Sequence, residues 1–118
     1  MRAKDLLGRG GEMLAADVLE DRGIRVIDRN WRCPRGEIDL VAIDSETLVI
    51  AEVKTRRSLR FGHPFEAITP AKLTRLRTLG VLWSRDHCIF PAALRIDAIA
   101  VLGCGDGEPV LEYLKGVG

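Results

Sequence analysis

The sequence predicts an α+β protein in which a mixed β-sheet lies between helices. Apolar residues recur at helical spacing near the N-terminus and again after Thr69-Pro70, where a threonine cap followed by proline is typical of a helix start. Between and after these two segments, short runs rich in valine, isoleucine and leucine are bounded by turn residues, as strands are. The predicted order of elements is therefore α-β-β-β-α-β-β.

Local signals set the bounds of each predicted element. The first helix is predicted from about Lys4 to Arg22, because Gly23 is placed to end it. A strand follows from Ile24 to Trp31, and Arg32 to Gly36 is predicted as the turn into a hairpin. The later elements are two hairpin strands within 36–54, an irregular loop at about 57–68, a helix from 69 to about 85, and strands at 95–102 and 110–114.

The composition predicts one globular domain that spans residues 1–118. The chain is 47% hydrophobic and 30% charged with a net charge of +1, so any nucleic-acid contact must depend on local basic patches. No segment is long and apolar enough to span a membrane, and the N-terminus has no secretory pattern. The three cysteines show no CxxC spacing, which favours a reducing cytoplasm over a disulfide framework or a structural zinc site. Cys88 and Cys104 lie among apolar residues and are expected to be buried.

The predicted hairpin carries three charged residues inside strongly apolar strands. Asp39 lies on its first strand, and Glu52 and Lys54 lie on its second. Charge in such surroundings is costly unless it is paired or binds a metal ion. Two carboxylates and a lysine held on a sheet are suited to a divalent cation and a phosphate ester. The sequence therefore predicts a nuclease site here, although a surface hairpin with cross-strand salt bridges stays open as the alternative.

The register of the hairpin can be predicted from its turn. If Ser45-Glu46 forms a two-residue loop, the numbers of paired residues add up to 91, which places Asp39 opposite Glu52 and Glu37 opposite Lys54. Two carboxylates that face each other repel, so this pair requires a cation between them or a proton on one of them. Glu37 would then tune Lys54 or support a second ion.

Glu12 is a candidate third carboxylate from the first helix. It shares a helical face with small and apolar residues, and Gly8 and Gly11 would let this helix approach the sheet closely. An inward-facing carboxylate would reach the site of Asp39 and Glu52. A glutamate at the flank of the helix that pairs with a nearby arginine is an equal alternative.

A basic segment directly follows the predicted site. The stretch from Lys54 to Arg60 holds four basic residues and no acidic one, including Arg56 and Arg57. Such a run is often only a solvated loop, but its position after the carboxylates favours contacts with phosphates. Arg56, Arg57, Arg60 and, on the second helix, Lys72 are therefore the predicted nucleic-acid contacts.

Six pieces spread over most of the chain together resemble a known family. They are Gly8 through Glu12 followed by alanines, Arg29-Asn-Trp-Arg32, Gly36-Glu-Ile-Asp39, Glu52-Val-Lys54, Phe61-Gly62 with Pro64, and Arg95-Ile-Asp97, where the family more often has phenylalanine in the middle. The sequence is similar to the YraN-like family of small bacterial proteins, which are predicted to be endonucleases. This resemblance implies the restriction-endonuclease-like fold of the PD-(D/E)xK superfamily.

The resemblance also implies roles for individual residues. Asp39 and Glu52 would be metal ligands, the backbone carbonyl of Val53 would be another, and Lys54 would orient or activate the attacking water. The expected cofactor is Mg²⁺ or Mn²⁺, because hard cations suit carboxylate and carbonyl oxygens. We expect nucleic acid as the partner, DNA in preference to RNA, and a homodimer if two strands are cut. A nucleic-acid-binding module without catalysis and a protein-interaction domain are the two rival interpretations.

Overall fold

A computed structural model of the chain describes residues 3–60, 62–103 and 108–118, with side chains from residue 10 onward. Its elements are α1 (Ala3–Asp21), β1 (Arg25–Cys33), β2 (Gly36–Asp44), β3 (Thr47–Arg56), a short 3-10 helix (Pro64–Ala67), α2 (Pro70–His87), β4 (Ala93–Leu102) and β5 (Val110–Leu114). The predicted order α-β-β-β-α-β-β is confirmed. Phe61 of the Phe61-Gly62 piece, the surroundings of Gly8, and Cys104 lie outside this description.

The five strands form one mixed sheet in the order β1-β2-β3-β4-β5. Neighbouring strands are antiparallel except for β3 and β4, which run parallel and are joined through α2. The predicted α+β architecture is thus confirmed, and it is consistent with the restriction-endonuclease-like fold that the resemblance implies. In the described part of the chain, neither helix is long and apolar enough to cross a membrane.

Each face of the sheet carries its own apolar core, one under α1 and one under α2. The side chains of β3 alternate between them, as side chains in a strand do: Val49 and Ala51 pack on the α1 side, and Leu48 and Ile50 on the α2 side. Glu52 continues the row that faces α2. The Glu52 carboxylate therefore lies at the rim of the apolar core under α2, as the sequence pattern predicted.

The β2–β3 hairpin has the predicted two-residue turn and the predicted register. Pairs run from Asp44–Thr47 to Leu40–Ala51, all with residue numbers that add up to 91. The turn contains no glycine or asparagine, and Ser45 adopts φ 56° instead. The described ladder ends at Leu40–Ala51, one pair before the predicted partners Asp39 and Glu52.

The predicted turn before β2 and the predicted burial of Cys88 are both wrong. β1 extends through Cys33, which pairs with Gly36, so the turn into β2 is only two residues long and not the five residues of Arg32 to Gly36. The prediction followed proline and glycine as turn signals, but Gly36, at φ 144°, is already the first residue of β2. Cys88 is exposed and not buried, because it ends α2 in the left-handed conformation, at φ 53°.

A buried ionic network fixes the tip of the hairpin to β4. Asp97 is fully buried, and its carboxylate accepts hydrogen bonds from Arg95 Nε (2.8 Å), from the Tyr113 hydroxyl and from the Gly116 N–H (2.9 Å). Arg95 also donates from Nη1 to Asp44 Oδ2 at 2.9 Å, at the end of β2. Burial and the hydrogen bond to the Asp97 carboxylate raise the pKa of Tyr113 to about 12. The Arg95-Ile-Asp97 piece therefore stabilises the scaffold.

The backbone of α1 lies directly against β3 beside the predicted site. A Cβ atom added to Gly11 would stand 2.1 Å from Thr55 Oγ1, far inside van der Waals contact. Only glycine allows this approach, which brings the adjacent Glu12 toward the sheet. The predicted role of Gly11 is confirmed.

The substitution Gly11→Ala should lower the free energy of unfolding by about 1–3 kcal/mol, because the methyl group overpacks the contact with Thr55. Chemical denaturation would measure the change. Gly10→Ala is the matched control, because its Cβ would meet nothing within 4 Å. Since alanine is the better helix former, that variant should gain about 0.5–1 kcal/mol. Equal effects of the two substitutions would contradict the close approach of α1.

Candidate active site

Asp39 lies at a point where both β1 and β2 depart from regular strand geometry. Ile38 packs in the core under α2 while Leu40, two residues on, packs in the core under α1, so the alternation of β2 breaks between them. In the β1–β2 ladder, Asn30 and Asp39 are not paired, although the residues on either side of them are. Asn30 adopts φ 50°. Asparagine tolerates this conformation better than most residues. Asp39 is thereby turned toward the gap between β2 and β3.

The hydrogen-bond partner of Asp39 is backbone from β3. The N–H of Val53 donates to Asp39 Oδ2 at 2.8 Å. In this register, alternate pairs from Asp44–Thr47 onward exchange backbone hydrogen bonds, so the N–H and C=O of Val53 face β2. Beyond the end of the ladder, the carboxylate of Asp39 takes the place of a backbone acceptor. The carbonyl of Val53 belongs to the same strand edge.

The surroundings of Asp39 disfavour its charge. Burial, and then the neighbouring carboxylate of Glu52, raise the pKa of Asp39 to about 7, with smaller contributions in the same direction from Glu12 and Glu37. The hydrogen bond from Val53 acts in the opposite direction and is outweighed. Among the described residues, no lysine, arginine or histidine forms an ion pair with Asp39. Asp39 is therefore a half-buried carboxylate among other carboxylates.

Glu52 is paired with two lysines. Its side chain is 7% exposed, and Oε1 lies 3.3 Å from Lys54 Nζ and 3.7 Å from Lys72 Nζ. Lys54 follows Glu52 by two residues on the same strand face, whereas Lys72 comes from the first turn of α2. The Thr69 hydroxyl caps this turn by accepting from the Lys72 N–H at 3.1 Å. The start of α2 is thus fixed over the sheet with its lysine pointing to Glu52.

The predicted pairing of Glu37 with Lys54 is wrong. Glu37 lies opposite Arg32 on β1, and Arg32 Nε donates to Glu37 Oε2 at 2.9 Å. The reason is the break at Asp39, which separates the first residues of β2 from β3 and leaves them paired with β1 alone. Lys54 is left to pair with Glu52.

Of the other predicted site residues, Glu12 and Lys72 lie near Asp39 and Glu52, and the three arginines lie at and beyond the end of β3. Glu12 is half-buried and near enough to act on the pKa of Asp39, as expected for a third carboxylate. Arg56, Arg57 and Arg60 are exposed at and beyond the end of β3, where solvent and a ligand can reach them. Lys72 was predicted as a phosphate contact, and its contact with Glu52 was missed. The Thr69-Pro70 signal located the start of α2, but no local pattern places that start over Glu52.

The donor atoms suit a hard cation with an incomplete protein shell. Within the described residues, no three or more histidine, cysteine, aspartate or glutamate side chains already stand together as a metal-binding group. Asp39, Glu52 and the Val53 carbonyl nevertheless provide only oxygen ligands. Mg²⁺ is commonly held by one or two carboxylates and completes its shell with waters and substrate phosphates. The residues present therefore fit such an ion better than zinc, which requires nitrogen or sulfur ligands.

The raised pKa of Asp39 should make stability depend on pH in the metal-free protein. The Asp39 carboxyl group loses its proton near pH 4 in the unfolded chain, but only near pH 7 in the folded chain. Its contribution to the free energy of unfolding is therefore complete below about pH 4 and is lost as the pH rises to about 7. Between pH 5 and pH 8 in EDTA, wild type should therefore lose more free energy of unfolding than Asp39→Asn, whose side chain stays neutral. Urea denaturation would measure both. An equal loss in both proteins would contradict the raised pKa.

Comparison with known proteins places the chain in a family. Residues 11–101 match the family described as "Uncharacterised protein family UPF0102". A UPF0102 protein of Renibacterium salmoninarum is 67% identical over 118 residues, covering 100% of both chains. One of Paenarthrobacter aurescens is 62% identical over 99% of this chain and 97% of its own, and one of Streptomyces griseus is 50% identical over 99% of each. The chain belongs to the UPF0102 family, the YraN-like family that its sequence pieces resemble.

Proposed function

We propose that this protein is a nuclease that hydrolyses phosphodiester bonds with the help of Mg²⁺ or Mn²⁺ bound at Asp39 and Glu52. The observation that carries the proposal is the environment of Asp39. A carboxylate that only stabilised the fold would have a basic partner, yet Asp39 has three acidic neighbours and one backbone donor. A divalent cation would relieve the mutual repulsion of these carboxylates.

The metal ligands in this proposal are Asp39, Glu52 and the carbonyl of Val53, with Glu12 adding negative charge nearby. When bound, the ion would lower the pKa of a coordinated water and stabilise charge on the scissile phosphate. The chain itself contributes the geometry. The break in β2 holds Asp39 at the edge of β3, and burial fixes the Glu52 side chain, so little reorganisation is needed when the ion arrives.

The basic residues would act on the substrate. Lys54 stands beside Glu52, where its ammonium group can orient the attacking water and compensate charge on the phosphate. Lys72 reaches the same carboxylate from α2 and can hold a non-bridging phosphate oxygen. Arg56, Arg57 and Arg60 lie exposed at and beyond the end of β3 and would contact neighbouring phosphates. The proposed substrate is DNA in preference to RNA, and cleavage of two strands would call for a homodimer.

A nucleic-acid-binding module without catalysis is the second candidate. The observation that favours it is the pairing of Glu52 with two lysines, which satisfies this carboxylate without a metal ion. The same pairing would suit a protein-interaction domain. Neither alternative accounts for Asp39, because its charge would be left uncompensated at pH 8.

Asp39→Ala should abolish metal-dependent cleavage while the protein stays folded, because it removes a ligand of the ion at the cost of one hydrogen bond, the one from the Val53 N–H. The assay is cleavage of single-stranded, duplex, flap and branched DNA, with RNA counterparts, during titration with Mg²⁺ or Mn²⁺. Asp17→Ala, an exposed carboxylate on α1, is the control and should cleave as wild type does. Equal cleavage by Asp39→Ala and wild type would overturn the mechanism, and binding without cleavage would favour the second candidate.

Lys72→Met and Lys54→Met should each bind Mn²⁺ about two- to fivefold more tightly than wild type, because each removes an ammonium group that competes for Glu52, a pairing worth up to about 1 kcal/mol. Cleavage should fall in both variants despite the tighter binding. Calorimetric titration would measure the affinity, with Arg85→Met at the far end of α2 as the control. Weaker Mn²⁺ binding by both lysine variants would contradict this competition.

A further inference from the structure

One face of α2 extends from the candidate active site to a groove at the other end of the helix. Lys72, Arg75, Leu79, Leu82 and Asp86 follow each other at intervals of three or four residues and therefore share one face of the helix. Lys72 contacts Glu52 at one end, and Leu82 and Asp86 line a groove at the other. Leu82 lies ten positions after Lys72, which corresponds to about 15 Å along the helix axis.

The groove lies between this face of α2 and the β1–β2 turn. Its volume is about 450 Å³, which is in the range of small-ligand sites. Trp31, Pro34 and Leu82 provide apolar surface, and the charged lining residues are Arg32, Arg35 and Asp86. Trp31 is half-buried against the core and the ring of His87, so its position is fixed. Apolar surface beside two guanidinium groups and a single carboxylate suits a ligand that is flat and apolar on one side and anionic on the other, because the lining side chains carry net positive charge.

A basic path connects the groove to the active site. A Cβ atom added to Gly36 would lie 3.8 Å from Arg75 Cδ, so Arg75 crosses from α2 to the first residue of β2. Gly36 directly follows Arg35 and precedes Asp39 by three residues. Arg35 and Arg75 are exposed, and within the described residues neither has an ion-pair partner. Arg32 is paired with Glu37.

We propose that this groove binds an unpaired nucleotide of the substrate strand, a few nucleotides from the phosphate that is cleaved. The inference rests on the proposed nuclease function and deepens it, because it assigns a single-stranded segment to the substrate. Arg75 and Arg35 hold the phosphates between the active site and the groove. The base lies on the apolar surface of Trp31, Pro34 and Leu82, which it can reach only when it is not stacked within a duplex.

The test measures binding in EDTA, where a metal-dependent nuclease cannot cleave. Fluorescence anisotropy would compare a single-stranded oligonucleotide with a blunt duplex of the same sequence. The double variant Arg35→Ala/Arg75→Ala should bind the single strand about tenfold more weakly than wild type. A plot of log affinity against log salt concentration should have a slope that is shallower by about 1.4 for the double variant than for wild type. The double variant neutralises two fewer phosphates, and each phosphate of a single strand accounts for about 0.7 of the slope. Arg77→Ala is the matched control, because Arg77 is exposed on the same helix but on another face. It should change the affinity less than twofold.

A scan with abasic residues would test the base itself. An oligonucleotide that lacks one base should bind wild type more weakly only when the missing base is at one position, or at one of two adjacent positions, of the single strand. With Leu82→Asp, the affinity should not depend on which base is missing. Equal effects of the double variant and Arg77→Ala, preference for the blunt duplex, or a flat scan with wild type would each overturn the groove assignment alone. Failure of wild type to bind any nucleic acid, with or without Mn²⁺, would overturn the proposed nuclease function as well.

Discussion

The candidate site depends on the hydrogen bond from the Val53 N–H to the carboxylate of Asp39. A regular hairpin would use a backbone carbonyl of β2 as the acceptor, and Asp39 would then point to one face of the sheet. The simultaneous break in β1 and β2 at Asn30 and Asp39 removes that carbonyl and replaces it by the side chain. Because buried N–H groups need acceptors, the backbone of β3 holds Asp39 in a position that its own charge disfavours.

Asp97 and Asp39, two aspartates of the sheet, illustrate the difference between a carboxylate whose charge the fold compensates and one whose charge it leaves uncompensated. Asp97 is fully buried, and Arg95, Tyr113 and Gly116 satisfy it. Asp39 is less buried, yet its hydrogen-bond donor is one backbone N–H, and the charged residues that act on its pKa are all carboxylates. Buried charge without compensation lowers stability, so a fold retains it where it has another use. The Asp97 network also fixes the hairpin tip through Asp44, which allows the opposite end of the hairpin to diverge.

Much of this arrangement follows from local sequence, because local geometry determines it. The turn at Ser45-Glu46 fixes the register of the hairpin, and the Thr69-Pro70 cap fixes the start of α2. The alternation of β3 correctly places Glu52 at the rim of the core. The close approach of α1 follows from Gly11, since a helix interior contains glycine at a cost that a close contact can explain.

The remaining features arise from contacts between distant segments, which a local pattern does not encode. Lys72 lies on the correct face of α2, but its distance from Glu52 depends on how the 3-10 helix Pro64–Ala67 and the packing of Gly80 place α2 over β3. The break at Asp39 requires β1 and β2 to deviate together, and the sequence of β2 alone is typical of a continuous strand. The same break explains why Glu37 pairs with Arg32, since the first residues of β2 no longer accompany β3. A single irregular position thus separates two regions of β2: one completes the sheet with β3, and the other lies between the candidate active site and the groove beside α2.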